Sequence, residues 1–394
     1  MGGTTMKMKM TRKLCLLAAS AMTLSALTGC TAALDGGTNR KNMSAMDYAQ
    51  EMGIGINLGN TMEAYWADPQ DKTAGASLIG EDTPQNYETC WGAVVTTKEA
   101  IDGMAAAGFN TIRVPVYWGN MIEDDGKFEI DDAYIERVEE IIGYCLDNDL
   151  YVVLNVHHYD EFLIKNHPKE DVLEATEIIW EQIAGHFRDY SDYLIFEGFN
   201  EALGSQREGD TYTEDELFDY VNDMNQVFVD TVRESGGNNK NRMLIASGYW
   251  TNIDKTTDAR YVLPEDPTED RLMVSVHYID NACYWTNNIG GDDWRAYSNK
   301  QCSQLTEVYT AQNIPVFVGE CTSIYGKENI AKDADVTASS DCLSHIMHLA
   351  VDNGFIPVLW DVNDNFYSRT EFKIKSESDA AVIREIADKI ENQE

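Results

Sequence analysis

The chain has 394 residues, of which 43% are hydrophobic and 25% charged, so it can bury a sizeable core. Acidic residues outnumber lysine and arginine by 67 to 30, which gives a formal net charge of −37. A surface this acidic repels nucleic acids and other polyanions. We therefore predict no nucleic-acid partner and a substrate that is neutral, cationic or small.

The chain begins with the features of an export signal. Basic residues at positions 7–13 precede an apolar run at 14–27, which is shorter than the roughly 20 residues of a membrane span. The following Thr28-Gly29-Cys30 completes a sequence that resembles a bacterial lipobox, in which cleavage leaves Cys30 as a lipidated first residue. An ordinary cleaved signal with a chance cysteine is the alternative. We predict a lipoprotein signal peptide at 1–29, a flexible tether at 30–42, and an extracellular or cell-surface location with membrane attachment only through that lipid.

Cysteine usage agrees with an exported chain but does not require disulfides. The cysteines after the cleavage site are Cys90, Cys145, Cys283, Cys302, Cys321 and Cys342. An even number makes pairing possible, although a large domain has enough core to be stable without it. No Cys-x-x-Cys or Cys/His metal spacing occurs among them. We expect mostly free, buried thiols. A single disulfide among them is the alternative.

Short apolar runs alternate with helical stretches over residues 43–394, which we interpret as a single catalytic domain. The predicted strands are Ile54–Leu58, Thr111–Val116, Leu150–His157, Leu194–Phe199, Arg242–Ser247, Leu272–His277, Ile314–Gly319 and Phe355–Trp360. The predicted helices are Thr97–Ala107, Asp132–Asn148, Val172–Tyr190, Glu214–Glu234, Trp294–Gln312, Asp335–Asn353 and Ser378–Asn392. Eight strands separated by helices predict an α/β fold, the (β/α)8 TIM barrel. A doubly wound open sheet is the alternative, but its glycine-rich phosphate loop is absent from the sequence.

Polar or aromatic residues stand at the carboxyl ends of these runs, where barrels of this kind carry their catalytic groups. They are Asn57, Arg113, His157, His158, Asn200, Glu201, His277, Glu320 and Trp360. Taken alone, each has a structural interpretation, such as a surface ion pair for Arg113 or a core position for Trp360. The pair Glu201 and Glu320 suits glycosidic-bond cleavage, in which one carboxyl protonates the leaving oxygen and the other acts at the anomeric carbon. Their like charges and partial burial are expected to raise the pKa of one of them.

Five stretches resemble the motifs of glycoside hydrolase family 5 and occur in family order. They are Gly55–Thr61 (GINLGNT), Asn110–Val116 (NTIRVPV), Val153–His158 (VLNVHH), Leu194–Glu201 (LIFEGFNE) and Pro315–Glu320 (PVFVGE). Together with Trp360 they span essentially the whole chain after the tether. The resemblance implies a retaining (β/α)8 enzyme of the cellulase-like endo-β-glucanase type.

The same resemblance implies roles for individual residues. Glu201 would be the general acid/base and Glu320 the nucleophile, with carboxyl groups about 5–5.5 Å apart. Asn200 would hydrogen-bond the 2-hydroxyl of the reacting sugar. Arg113 would lie beside Glu320 and keep it ionised.

Further residues would complete the sugar site according to this resemblance. His157 is the first candidate to hold hydroxyls of the same sugar, and His158 is the second. His277 would border the two glutamates. Trp360 would form an aromatic platform under the sugar ring, whose C–H face is apolar. Asn57, at the end of the first strand, is one more candidate for substrate binding.

The sixth strand departs from the family pattern. The family commonly has His-x-Tyr there, whereas this chain has His277-Tyr278-Ile279. Strand alternation would point Tyr278 away from the side that His277 faces, unless the backbone turns. Three outcomes are open: Tyr278 reaches the nucleophile through a local bulge, another tyrosine such as Tyr284 does so, or the contact is missing.

Tryptophans in the predicted loops are candidates for further sugar subsites, with local packing as the alternative for each. They are Trp66, Trp118, Trp250, Trp285 and Trp294. Trp180 lies within a predicted helix and is expected in the core. A long groove lined by aromatic rings would suit an enzyme that cleaves inside a polymer.

We therefore predict a monomeric, retaining, endo-acting glycoside hydrolase of β-1,4-glucan, with cellulose-like or mixed-linkage chains as its neutral polysaccharide or oligosaccharide partner. It would need no cofactor or metal, because this chemistry uses carboxyl groups and water and no HExxH-type spacing accompanies the histidines. A β-mannanase or xyloglucanase of the same family is an alternative, because members differ in loops. A catalytically inactive, glycan-binding surface lipoprotein is the alternative from another class, supported by the altered sixth-strand motif.

Overall fold

The computed structural model describes residues 43–65, 82–122, 127–204, 212–280, 292–323 and 339–392, without the side chains of 292–294. Eight parallel strands close into a barrel in sequence order, and Gly55 of the first strand pairs with Val358 of the last. The strands are β1 Gly55–Asn57, β2 Thr111–Val114, β3 Tyr151–Asn155, β4 Leu194–Glu197, β5 Leu244–Ser247, β6 Leu272–His277, β7 Val316–Thr322 and β8 Ile356–Trp360. The predicted (β/α)8 barrel is confirmed, and each predicted strand overlaps the observed one.

Helices surround the barrel. They are α1 Ala45–Met52, α2 Pro84–Thr89, α3 Lys98–Ala106, α4 Asp132–Leu146, α5 Lys169–His186, α6 Glu214–Glu234, α7 Ile253–Thr256, α8 Asp292–Val308, α9 Ser339–Asp352 and α10 Glu377–Glu391. A small antiparallel pair, β9 Tyr367–Ser368 and β10 Lys373–Ile374, follows the last barrel strand. Helix α6 has the predicted bounds, and it begins at Glu214 because Thr213 and Glu216 form a reciprocal capping box there.

The strand side chains alternate between two apolar clusters. In β3, Val152 and Leu154 pack with helix residues such as Ile179, whereas Tyr151 and Val153 join a second cluster on the opposite face. In a closed barrel the face turned away from the helices is the interior. The second cluster therefore fills the inside of the barrel.

The inward face changes from apolar to polar along the strands. In β4, Ile195 is followed by Glu197, and in β6, Met273 is followed by Ser275 and His277, all of them buried. The amino-terminal half of the interior is thus a packed hydrophobic floor. The carboxyl-terminal half is a buried polar layer directly beneath the mouth.

Helix α1 was not predicted from the sequence and completes the barrel floor. Ser44 caps it by accepting from the Asp47 amide, and its buried Tyr48 and Met52 join the interior cluster. With only eight residues, α1 is too short for a clear helical period. Its burial comes from the barrel that it closes, which local sequence does not reveal.

Several predictions about location concern residues outside the described ones, including the signal peptide at 1–29 and the tether at 30–42. Within the described part of the chain, no helix has both the length and the apolar character to cross a membrane. The free cysteines Cys90, Cys145, Cys302, Cys321 and Cys342 are all buried, as expected for thiols that pack as small hydrophobic groups. Cys283 lies outside the described residues. Trp180 is fully buried, which confirms its predicted place in the core.

Candidate active site

A cleft of about 350 Å³ opens at the carboxyl ends of the strands. Residues of the sequence prediction that line it are His157, His158, Asn200, Glu201, Tyr278, Glu320 and Trp360. The remaining three, Asn57, Arg113 and His277, are buried. Arg113 contacts Glu320 and His277 contacts Glu201, both in this lining, and Asn57 contacts Arg113 beneath it. The structure therefore brings all ten predicted site residues together at one end of the barrel.

Both oxygens of Glu320 accept hydrogen bonds from side-chain donors, one fully buried and one partly buried. Glu320 lies within β7, which extends past the predicted end at Gly319, and only 4% of the residue is exposed. Arg113 donates from Nη1 to Oε1 over 3.2 Å, and the Tyr278 hydroxyl donates to Oε2 over 2.6 Å. The expected proximity of Arg113 to Glu320 is thus observed. One lone pair on each oxygen is fixed, which sets the plane and direction of the carboxylate.

Tyr278 reaches Glu320 because the backbone turns after β6. The pairing of β6 with β7 shifts register between Val276 and His277, and Tyr278 has a left-handed φ of 52°. Simple alternation therefore fails at this position, and Tyr278 lies on the same side as His277. Of the three outcomes left open by the sequence, the structure has the first. Tyr284 lies outside the described residues.

Arg113 organises the layer beneath the cleft. Its Nε donates to Glu197 over 2.7 Å, its Nη2 to Asn200 Oδ1 over 2.8 Å, and its Nη1 also to Asn57 Oδ1 over 3.0 Å. Burial lowers the pKa of Arg113, but the charges of Glu197 and Glu320 outweigh it, so the net shift is upward. The guanidinium stays charged and neutralises two buried carboxylates at once.

Glu197 is a site residue that the sequence analysis missed. It is fully buried in β4 and accepts from Arg113, from Asn155 Nδ2 at 3.2 Å and from the Ser275 hydroxyl at 2.8 Å. The available signal was an acidic residue inside the apolar run Leu-Ile-Phe-Glu, because a fully buried carboxylate is rare without a partner. Glu197 fixes the guanidinium from below while Glu320 meets it from above.

Glu201 lies in the loop after β4, beyond the strand, because β4 ends at Glu197. His277 donates from Nδ1 to Glu201 Oε1 over 2.8 Å, and the same nitrogen is 3.7 Å from Glu320 Oε2. One oxygen of each glutamate and one ring nitrogen of His277 all lie within 4.8 Å of one another. This spacing fits the closely placed carboxyl pair of a retaining glycosidase, about 5–5.5 Å, and is short of the 6.5–9.5 Å of inverting enzymes.

The sequence led us to expect a raised pKa for one of the two glutamates, and Glu201 does not show it. Burial does raise it, but the hydrogen bond and charge of His277 and the charge of Arg113 lower it further, so the net pKa is below the ordinary value. A cationic guanidinium and a donating imidazole stand beside the pair, and this outweighs the repulsion between the two carboxylates. In the free protein Glu201 is therefore held as a carboxylate.

The two histidines after β3 are neutral at neutral pH. Burial lowers the pKa of His158 to about 4, and burial together with the nearby charges lowers that of His157. The His157 ring stacks on Trp360, with centroids 5.9 Å apart and planes 11° from parallel. The His158 Nε2 atom is buried and has no hydrogen-bond partner among the described residues. Neutral imidazoles at the edge of a cleft are suited to uncharged hydroxyl groups.

A series of ring contacts leads from His158, in the cleft lining, to aromatic side chains beside the cleft. Tyr65 contacts Trp91, Tyr117 and His158, with ring centroids 5.2, 4.5 and 5.0 Å apart. His158 in turn contacts His157 at 4.5 Å. A continuous series of rings therefore runs from Trp91 to Trp360, and the sequence analysis named only the part of it nearest Trp360.

The tryptophans of the predicted loops occupy different positions in the structure. Trp250 lines the cleft. Of the two alternatives for Trp118, the structure has local packing: the residue is 1% exposed and its indole donates to the Asn155 carbonyl over 3.0 Å. Trp66, Trp285 and the side chain of Trp294 lie outside the described residues.

This barrel, with two carboxylates facing one another beside a row of aromatic rings, defines the class of (β/α)8 glycoside hydrolases. The profile of the cellulase family, glycosyl hydrolase family 5, matches residues 73–366. The chain belongs to that family.

Individual relatives agree with this assignment. Endoglucanase A of Ruminococcus albus is 35% identical over 349 residues, covering 84% of this chain and 87% of the relative. The xyloglucan-specific endo-beta-1,4-glucanase BoGH5A of Bacteroides ovatus is 31% identical over 362 residues, covering 84% and 68%. Among solved structures, a GH5-4 broad specificity endoglucanase from Ruminococcus champanellensis with bound cellotriose superposes with a TM-score of 0.73 at 28% identity, covering 86% of this chain and 98% of that one.

Proposed function

We propose that the protein is a retaining, endo-acting β-1,4-glucanase of cellulose-like or mixed-linkage glucan, with Glu320 as nucleophile and Glu201 as acid/base. One observation carries the proposal: Glu320 is fixed through both oxygens by Arg113 and Tyr278, with a Glu201 oxygen within 4.8 Å. A carboxylate held in this way is oriented for attack on carbon. Its neighbour is left at the cleft surface, where a leaving oxygen can reach it.

The reaction would proceed in two displacements. Glu320 attacks the anomeric carbon while Glu201 gives its proton to the departing glycosidic oxygen, leaving a covalent glycosyl-enzyme. Glu201, now a carboxylate, then takes a proton from water, and the water oxygen displaces Glu320 from the same carbon. Two inversions at one centre give net retention.

The orientation of Asn200 follows from its contact with Arg113. Because its side-chain oxygen accepts from the guanidinium at 2.8 Å, its amide N–H₂ is the group left to face the sugar. An amide donor there can hold the 2-hydroxyl of the reacting ring, a contact that strengthens in the transition state. Arg113 thus links the nucleophile and this sugar contact in one network.

The proton supply of Glu201 depends on His277. Since His277 keeps the pKa of Glu201 low in the free protein, the carboxyl must leave this hydrogen bond, or be shielded by bound sugar, before it holds a proton. Glu201 is the more exposed of the two, with 35% of its side chain accessible against 5% for Glu320. Covering it with substrate strengthens the burial effect that raises its pKa.

The choice of substrate rests on the neutral lining and on the relatives. Neutral histidines and aromatic rings suit an uncharged glucan, and the open cleft suits cleavage within a chain. The similarity to relatives named as an endoglucanase and as a xyloglucan-specific enzyme makes xyloglucan the second candidate substrate.

Substrate screening with two variants tests the proposal. Wild-type protein should reduce the viscosity of carboxymethylcellulose and barley β-glucan faster than it releases reducing ends, with β-configured products by NMR. With an activated aryl β-cellobioside and azide, Glu320→Ala should form the α-glycosyl azide and Glu201→Ala the β-glycosyl azide. Activity confined to mannan would reject the glucanase assignment. Binding of these glycans without turnover by the wild type would favour the inactive binding protein.

We further propose that the protein is exported and held at the cell surface by a lipid on Cys30. The basic start, the apolar run at 14–27 and the lipobox-like sequence support this. Metabolic labelling of bacteria with a fatty-acid analogue should mark the wild type and not Cys30→Ala, and the variant should lose its membrane association. Labelling that persists in Cys30→Ala would contradict the anchor.

A further inference from the structure

Asp160 is a buried carboxylate that the proposed reaction does not use. It begins the short π-helical turn Asp160–Ile164, a few residues after β3, and is 6% exposed. Its Oδ1 accepts from the Leu203 amide over 2.8 Å and its Oδ2 from the Gly204 amide over 3.0 Å. Both amides belong to the loop that carries Glu201. A side chain from the β3 loop therefore holds the loop after β4 immediately beyond the proposed acid/base.

The backbone of this second loop adopts conformations that need support. Glu201 has a φ of 26° and Leu203 a φ of 61°, both in the left-handed region that residues with a side chain rarely adopt. Such conformations persist when neighbouring contacts fix them. Before Glu201, the Asn200 amide donates to the Val156 carbonyl over 2.9 Å. After it, the two oxygens of Asp160 take up successive amides.

We propose that Asp160 is a positioning residue for the acid/base. By binding the Leu203 and Gly204 amides, it holds the Glu201 carboxyl where it can protonate the glycosidic oxygen. The proposal rests on the proposed function, because it assigns Asp160 an effect through Glu201. A displacement of about 1 Å in a catalytic group can cost roughly 100-fold in rate. Glu320 lies on β7 and is held by Arg113 and Tyr278, so its attack should not depend on Asp160.

This separation gives the proposal a specific kinetic signature. A substrate with a poor leaving group, such as cellotetraose, needs the proton from Glu201 for bond cleavage. A substrate with a good leaving group, 2,4-dinitrophenyl β-cellobioside, needs only the attack by Glu320. For both, kcat/KM reports steps up to formation of the glycosyl-enzyme. A defect in the position of Glu201 lowers the first value and spares the second, whereas a general loosening of the barrel lowers both.

The test compares Asp160→Asn with the wild type on these two substrates. Asparagine keeps the size of the side chain but presents N–H₂ to one of the two amides, so one hydrogen bond is lost. We expect kcat/KM to fall about 30- to 100-fold on cellotetraose and less than about threefold on the aryl glycoside. Azide should accelerate turnover of the aryl glycoside by the variant, since the second step also needs Glu201. Asp160→Ser, a neutral side chain that accepts one hydrogen bond, gives the same comparison if the asparagine variant does not fold.

Asp361 provides a matched control. It is a fully buried carboxylate in the loop after β8, and its oxygens likewise accept from successive amides, those of Phe366 at 2.8 Å and Tyr367 at 3.3 Å. Asp361→Asn should lower the melting temperature, and any loss of activity should be equal on the two substrates. Equal losses in Asp160→Asn, or full activity on both substrates, would overturn the proposal. If Glu201→Ala itself lost equally on both, the acid/base assignment would fail instead.

Discussion

Buried carboxylates at the same end of the barrel are stabilised in two different ways. Glu197 and Glu320 share the guanidinium of Arg113, with Nε 2.7 Å from one and Nη1 3.2 Å from the other. Glu63, in the loop after β1, is equally buried but accepts mainly from the amides of Asn60 and Thr61. Burial raises its pKa to about 7, although those amides and Arg369 oppose the shift.

The comparison shows two environments for a buried carboxylate at the mouth of this barrel. Two backbone amides do not compensate for full burial at Glu63, whereas a buried guanidinium with several acceptors forms a fixed charged layer under the cleft. A nucleophile must be ionised before substrate binds. The polar layer around Arg113 is therefore part of the chemistry as well as of the fold, and removing its members should have graded effects.

Loss of Arg113 should have the largest effect. Arg113→Met keeps much of the side-chain volume but leaves Glu197 and Glu320 buried without their cation, which costs on the order of 3–5 kcal/mol of stability. We expect kcat on β-glucan to fall more than about 1,000-fold, with a melting temperature several degrees lower, measured by viscometry and calorimetry. Near-normal turnover in a folded Arg113→Met protein would contradict the role of the guanidinium.

Loss of the Tyr278 hydroxyl should have the next largest effect. Burial and the charges of Glu320 and Glu201 raise the pKa of Tyr278, so its hydroxyl remains a donor at any working pH. Tyr278→Phe keeps the ring and removes one charge-assisted hydrogen bond, worth about 1.5–3 kcal/mol. We expect kcat/KM to fall roughly 10- to 100-fold with the fold intact. Tyr261→Phe is the control, because that buried hydroxyl donates to the Ser247 carbonyl instead of a carboxylate; an equal loss there would make the effect general.

Loss of His277 should change the pH dependence more than the rate at the optimum. The His277 hydrogen bond and charge counter the burial that raises the pKa of Glu201. In His277→Ala that opposition is gone, so the pKa of Glu201 rises and the acid keeps its proton to higher pH. The alkaline limb of kcat/KM against pH should therefore move upward, with about a tenfold loss at the optimum.

A surface pair provides the reference for this pH profile. His186 Nε2 lies 3.0 Å from Glu139 Oε2 on the outer helices, remote from the cleft. His186→Ala should leave the profile unchanged. A downward or absent shift in His277→Ala would show that His277 does not hold the pKa of Glu201 low.

The barrel and most of its mouth were predictable from sequence because their signals are local. Buried strands are continuous apolar runs, and polar residues such as His157 and Glu320 stand out at the ends of those runs. Three features depend on partners distant in sequence. The burial of Glu197 is explained by its ion pair with Arg113, and the burial of helix α1 by the barrel floor on which it packs. The inward direction of Tyr278 is explained by the register shift between β6 and β7.

Glu63→Gln should have the smallest effect on activity, and its consequence should appear in stability alone. Since the pKa of Glu63 is about 7 in the folded protein and near 4.5 when unfolded, the folded state holds a proton that the unfolded state lacks between those values. The free energy of unfolding must therefore fall as pH rises from 4.5 to 7, by about 3 kcal/mol from this group. Urea titrations at pH 5 and pH 8 should show a smaller fall for Glu63→Gln than for the wild type. Glu371→Gln, at an exposed ion pair with Lys373, should keep the wild-type difference, and an unchanged difference in Glu63→Gln would mean that this carboxyl titrates as if exposed.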